Sequence, residues 1–161
     1  MSLCFGVWGG FQLRNKISRK KILVIHGPNV NLLGFRETSI YGKESISSIN
    51  QQITEKAHML GVDCVVFQSN SEGSIIDAIQ QAREEVDGII INAGAYTHYS
   101  IAIRDAIAAI HIPCIEVHCS NIYNREDFRS KSVITPVCAG SIVGFGKHSY
   151  FLAISAIKDL I

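Results

Sequence analysis

Three apolar runs of this chain each end in a cluster of polar, reactive side chains. Lys21-Ile-Leu-Val-Ile-His26 leads into Gly27-Pro-Asn29 and on to Arg36 and Tyr41. Asp87-Gly-Ile-Ile-Ile91 leads into Asn92-Ala-Gly94 and His98, and Cys114-Ile-Glu116-Val leads into His118-Cys119-Ser120-Asn121 and Arg125. Phenol and imidazole can take and give protons, while guanidinium and carboxamide groups hold oxygen atoms. The set suits proton transfer on an oxygen-rich substrate. In an open parallel sheet the carboxyl ends of the strands line one edge, and ligands bind in the crevice there. Clusters far apart in sequence would meet at that edge.

Residue type alone leaves each cluster with more than one reading. Residues 27–34 form a glycine-bearing loop after the first strand, where a phosphate could be cradled. Their spacing fits neither the Walker pattern nor GxGxxG, so a tight turn is the simpler reading. Arg36 and Tyr41 lie in a loop of about 17 residues, a length typical of lids and binding loops. Free tyrosine titrates near ~10, so a phenolate at pH 7 requires about 4 kcal/mol. One or two cations held close in a water-poor site could supply that; otherwise Tyr41 is a surface residue packed on its loop. Asn92 and His98 could grip hydroxyl groups or take part in capping the next helix, with Thr97 or Ser100 as the cap. Capping accounts for Ser100 and poorly for Asn92. Glu116 and His118, two apart on a strand, share a face. The carboxylate can therefore orient the imidazole and hold it charged, although a purely structural pair would also relieve the burden of a carboxylate in an apolar strand. Backbone amides of Cys119, Ser120 and Asn121 follow in a segment suited to nesting a carboxylate. Arg125 and Arg129, one helical turn apart, also fit a solvated helix face. Asp105 beside Arg104 fits a surface ion pair of little worth. His26, His58, His111 and His148 read as structural, and no His/Cys/Asp cluster has metal-ligand spacing.

The elements that must position these groups alternate along the chain. Strands are expected at about 21–26, 62–68, 87–92, 114–118 and 134–143, the last with Pro136 at its start. Helices are expected at about 45–60, from Ser71 onward, at about 99–110, briefly near 125–129, and from about 146. Ile46, Ile49, Ile53, Ala57 and Leu60 recur at helical spacing, and Gly61 follows as a C-terminal cap. Ile75, Ile76, Ile79 and Ala82 make a second stripe, and Tyr150, Ile154, Ile157 and Ile161 a third. The strands are apolar throughout, as burial on both faces requires. Five strands separated by helices imply an α/β parallel sheet with right-handed crossovers and helices on both faces.

At 161 residues the chain is long enough for one domain with a full core. Its composition, 47% hydrophobic and 18% charged, is that of a globular protein rather than a disordered one. No apolar run is long enough to cross a bilayer. The net charge of +1 hides an asymmetry: residues 1–21 hold five bases and no acid, and the remaining 10 bases and 14 acids make the body −4. A nucleic-acid surface on that body is not expected. Residues 1–20 stand apart as an extension. They are apolar and glycine-rich, with the charges following, an order wrong for a secretory signal. Five cysteines without a CxxC pair point to a reducing compartment.

Four motifs in order carry a resemblance. Residues 25–42 read I-x-G-P-N-x-N-L-L-G-x-R-E-x-x-x-Y-G, residues 68–73 Q-S-N-S-E-G, and residues 92–106 N-A-G-x-x-T-H-x-S-x-A-x-R-D-A. Residues 115–129 read I-E-V-H-x-S-N-x-x-x-R-E-x-F-R. From about Lys21 to Ile161 the chain closely resembles the type II 3-dehydroquinate dehydratases. It departs where His26 stands in place of a common Asn and Thr38 in place of a common Pro, neither a catalytic position. The resemblance implies a flavodoxin-like three-layer fold with strand order 2-1-3-4-5, a single catalytic domain over 21–161, and a homododecamer built as four trimers. It implies reversible loss of water from 3-dehydroquinate through an enolate, in the cytoplasm, as a step of the shikimate pathway toward aromatic amino acids, with no cofactor, metal, nucleic acid or membrane involved. By motif position Tyr41 looks like the general base and His118 the general acid. Arg36 supports the tyrosinate, Asn29 takes the enolate side through an ordered water, and Glu116 partners the acid histidine. Asn92, His98, Arg129 and the backbone of Cys119 and Ser120 match substrate-binding positions. Arg125 matches a second arginine near the base, and Asp105 a residue that reaches a neighbouring subunit's site. The alternatives are another carbon–oxygen lyase or isomerase for a related cyclic polyol acid, and a flavodoxin-like module binding a nucleotide or flavin.

Overall fold

Runs rich in isoleucine and valine form three inner strands whose side chains are buried on both faces, and helices cover both sides. A computed structural model describes residues 19–35 and 44–161. Its strands are β1 (Lys21–His26), β2 (Asp63–Gln68), β3 (Gly88–Asn92), β4 (Cys114–His118) and β5 (Gly140–Val143). All pair in parallel, in the order β2-β1-β3-β4-β5. The helices are α1 (Ile46–Met59), α2 (Glu72–Glu85), α3 (Ile101–Ile110) and α4 (His148–Lys158). This is the flavodoxin-like order, with its switch point between β1 and β3.

The alternation of side chains along each strand divides the core in two. Ile22, Val24, Ile90, Ile115 and Val117 face α1 and α4, where Ile49, Ile53, Ile154 and Ile157 meet them. Leu23, Ile25, Ile89 and Ile91 face α2 and α3, packing on Ile75, Ile79, Ile103 and Ile107. Most of these side chains are fully buried, each contributing on the order of 1.5–3 kcal/mol. Ser45, Ser71 and Ser100 cap α1, α2 and α3, their hydroxyls accepting the N–H of Ser48, Ser74 and Ile103. Gly61 at φ 79° and His111 at φ 56° end α1 and α3 in the left-handed conformation.

Three segments differ from the sequence expectation. β5 begins at Gly140 rather than near 134, and Thr135–Val137 is a 3₁₀ turn. Pro136 has no N–H for a ladder, and the Ser132 hydroxyl takes the N–H groups of Ile134 and Thr135. The short helix near 125–129 is instead two 3₁₀ turns, Ile122–Asn124 and Asp127–Arg129, separated by extended Arg125. β2, at the sheet edge, leaves Asp63 and Val65 exposed, so burial on both faces does not extend to it. The long loop after β1 opens with a 3₁₀ turn at Val30–Leu32, and Arg36 and Tyr41 lie outside the described residues.

Candidate active site

The loops leaving β1 and β3 approach each other backbone to backbone. Gly27 donates to the Asn92 carbonyl at 2.7 Å. A Cβ on Gly27 would lie 2.6 Å from the Ala93 carbonyl, and one on Gly94 2.9 Å from the Pro28 oxygen. Glycine stands here for close approach, which answers the choice between turn and phosphate cradle in favour of a turn. The contact brings Asn29 beside Asn92 at the sheet edge. Asn29 itself sits at φ 65°, a left-handed conformation that asparagine tolerates better than most residues. Its N–H donates to the Asn70 side-chain oxygen at 3.0 Å, tying the loop to the end of β2.

At the end of β4, Glu116 and His118 point to the same face, and their Oε1 and Nε2 atoms lie 2.7 Å apart. Glu116 is fully buried. Thr97 donates to its Oε1 at 2.7 Å, Ser132 lies 3.1 and 2.9 Å from its two oxygens, and the Thr135 hydroxyl donates to Oε2. Burial pushes this carboxyl up, but the hydrogen bond and charge of His118, with the threonine hydroxyls, outweigh it, and the net shift is downward. An acid lowered in the folded state contributes stability above its unfolded value of ~4.3, lost as pH falls through the folded value. Replacing Glu116 with glutamine should therefore flatten the fall of melting temperature below about pH 4.3, measured against wild type from pH 3 to 6. Parallel melting curves for the two proteins would refute this account. With Nε2 given to Glu116, Nδ1 is the ring nitrogen left to the pocket.

That pocket, about 140 Å³, is lined by Asn29, Asn92, His98, His118, Cys119, Ser120, Arg125 and Arg129, with Pro28, Val30, Leu33, Gly94, Ala95 and Ile122 between them. It is smaller than the ~300–1,000 Å³ of sites for drug-sized molecules, so it suits a small one. His98 Nδ1 donates to the Lys131 carbonyl at 2.7 Å, which leaves Nε2 for a ligand. Arg125 and Arg129 have side chains only 14% and 24% exposed, so they are not a solvated face. Glu126 holds Arg129 at 2.8 Å, and the guanidinium stacks on Phe128 at 4.9 Å. A larger groove of about 380 Å³ lies between β2 and α2, with Val65, Phe67 and Val86 in its wall, and none of the sequence-derived site residues lines it.

Nine of the twelve sequence-derived site residues thus converge: eight line the pocket and Glu116 stands directly behind His118. Arg36 and Tyr41 lie outside the described residues. Asp105 is on α3 with its side chain 64% exposed, paired to Arg104 at 2.8 Å, and does not line this pocket. Sequence reasoning missed Ser132 and Thr135, and weighed Thr97 only as a helix cap. Hydroxyl residues 16 and 19 positions from Glu116 leave no periodic signal. Only the demand of a buried carboxylate for donors could have prompted a search for them. Among the described residues no group of three His, Cys, Asp or Glu side chains is placed to hold a metal ion.

Residues 20–158 match the family model described as Dehydroquinase class II. The chain belongs to the class II dehydroquinase family. It is similar to the 3-dehydroquinate dehydratase of Caldicellulosiruptor saccharolyticus, 57% identical over 143 residues that cover 88% of this chain and 99% of that one. The 3-dehydroquinate dehydratase of Lachnoclostridium phytofermentans is 59% identical over 141 residues, covering 87% and 97%. Among solved structures, the type II dehydroquinase of Butyrivibrio crossotus superimposes with a TM-score of 0.86 at 52% identity, over 88% of this chain and 99% of that one. The flavodoxin-like sheet described above is therefore a dehydroquinase fold.

Proposed function

We infer that this dehydroquinase is a 3-dehydroquinate dehydratase, removing water from 3-dehydroquinate to give 3-dehydroshikimate in the shikimate pathway. The observation that carries the inference is the buried Glu116–His118 pair opening on one small pocket with Asn92, His98 and Arg129, in a chain of this family.

We assign the site residues as follows. Tyr41, as the phenolate, removes a proton from the carbon next to the ketone, and Arg36 and Arg125 favour that phenolate. The enolate is held on the side of Asn29 through an ordered water. Hydrogen bonds that strengthen as charge develops on the enolate oxygen lower the barrier, each by about 3 kcal/mol. His118, protonated and steadied by Glu116, donates its proton to the leaving hydroxyl. Arg129 and the backbone amides of Cys119 and Ser120 hold the substrate carboxylate, and Asn92 and His98 its hydroxyls. The reaction needs no electron sink beyond the ketone itself. Among the described residues no lysine lines the pocket, which argues against an imine route.

The test is the absorbance of the conjugated product when purified protein meets dehydroquinate, with and without a chelator and borohydride. Activity that survives both additions is expected. Loss to borohydride would overturn the enolate route in favour of an imine, and loss to the chelator would overturn the metal-free assignment.

We further propose a homododecamer of four trimers in the cytoplasm, with Asp105 reaching a neighbouring subunit's site. Tyr99, just before α3, and Ile101, one turn ahead of Asp105, are large and exposed, as residues of a subunit contact would be in an isolated chain. The described cysteines Cys64, Cys114, Cys119 and Cys138 are all free, in keeping with a reducing compartment. Light scattering should give a mass twelve times that of the 17.7 kDa chain.

A further inference from the structure

Behind Asn92 runs a buried chain of hydrogen bonds that the proposed reaction does not use. Asn92 Nδ2 donates to the Tyr150 oxygen at 2.8 Å. That oxygen lies 3.0 Å from His26 Nδ1, and His26 Nε2 lies 2.8 Å from the Asn50 side-chain oxygen. The chain starts at the pocket wall and crosses from β3 through α4 and β1 to α1. Tyr150 and His26 are both fully buried.

Chemistry allows this chain one direction. A carboxamide nitrogen only donates, so the Tyr150 oxygen accepts from Asn92. Burial holds the Tyr150 phenol well above its ordinary value, so it keeps its proton. That single proton goes to His26 Nδ1, which must therefore be bare, and Nε2–H donates to Asn50. Burial pushes His26 down to about 4, which keeps the ring neutral and able to accept at Nδ1. On its other side, the Asn92 oxygen accepts the Gly94 N–H at 3.3 Å. Both ends of the carboxamide are thereby assigned. A flip would set its oxygen against Tyr150, whose proton is committed to His26, and its NH₂ against the Gly94 N–H.

We propose that His26 and Tyr150 are positioning residues that lock the Asn92 carboxamide in one orientation, so that it presents a fixed donor and a fixed acceptor to a substrate hydroxyl. The inference rests on the pocket being the dehydroquinate site. Core filling alone does not require these polar groups: replacing a buried hydrogen-bonded pair by apolar groups of similar shape is often close to neutral for stability. A lock, by contrast, fails as soon as its acceptor for Asn92 is removed.

The experiment compares Tyr150→Phe, His26→Leu, His26→Asn and the Tyr150→Phe/His26→Leu double variant with wild type in the dehydration assay. Tyr150→Phe, His26→Leu and the double variant should raise KM about tenfold and change kcat less, the effect of one lost, well-placed hydrogen bond. His26→Asn keeps a carbonyl acceptor for Tyr150 and should stay within about twofold of wild type. The two ends left behind, Asn92 at the pocket wall and half-buried Asn50 on α1, can turn to water, so the double variant should stay folded. A folded double variant with wild-type KM overturns the proposal, as does a His26→Asn variant as impaired as His26→Leu. The ¹⁵N chemical shifts of His26 at pH 7 give a readout independent of turnover: a proton on Nε2 and a bare Nδ1 are expected, and a proton on Nδ1 overturns the lock. Wild type inactive toward dehydroquinate would instead refute the functional assignment, and the shifts would still decide the lock.

Discussion

Replacing His118 with asparagine should lower kcat by about 10²–10⁴-fold, the usual contribution of a positioned general acid. The fold should persist. Asparagine can still donate to Glu116, and the Glu116 carboxylate retains Thr97, Ser132 and Thr135. What the amide lacks is a proton it can release at neutral pH, so the leaving hydroxyl would depart as hydroxide rather than as water. KM should move little, because the other pocket groups, Asn92, His98 and Arg129, are untouched. Steady-state kinetics with a melting curve of the same preparation check this. A folded variant within tenfold of wild type would remove His118 from the acid role and make its pairing with Glu116 structural. Glu116→Gln should show the intermediate case. The ring keeps its place, but the amide NH₂ faces hydroxyls that are themselves donors, so rate and stability fall together.

Replacing Tyr41 with phenylalanine should lower kcat by a comparable factor, about 10²–10⁴-fold, through loss of the base. Tyr41 lies outside the described residues, and chemistry points to it. A proton beside a ketone is removed readily only by a base, and the pocket offers few. Glu116 is held behind His118 by four donors, which leaves Nε2 of His98, whose Nδ1–H goes to the Lys131 carbonyl, as the one other candidate among the described pocket residues. A phenol becomes a competent base only when cations favour the phenolate. Arg125, mostly buried at the pocket wall, is one such cation. The same reasoning makes the acidic limb of the kcat profile a report on that phenolate, and the Arg36→Met variant should move the limb to higher pH. A Tyr41→Phe enzyme with a near-normal rate would transfer the base role elsewhere, with His98 the next group to test.

The sequence by itself determined the elements and much of the site. Unbroken apolar runs mark strands covered on both sides, and Ser71 and Ser100 mark the starts of α2 and α3. The two-residue spacing of Glu116 and His118 sufficed to put them on one face, because side chains alternate along any strand. These are local signals, carried within one or two turns of chain. Tertiary structure decided what depends on separation. Ser132 stops the chain from entering β5 near 134 and reaches Glu116 from 16 residues away. Arg125 and Arg129 become pocket wall where extended Arg125 and the 3₁₀ turn that ends in Arg129 replace the single expected helix. Tyr150 reads as one more apolar residue of a helical stripe, and its hydroxyl meets Asn92 across 58 residues and His26 across 124. A buried polar group must find a partner, but no periodicity says which. Only the strand order, by setting β1 beside β3 and α4 against both, makes that choice.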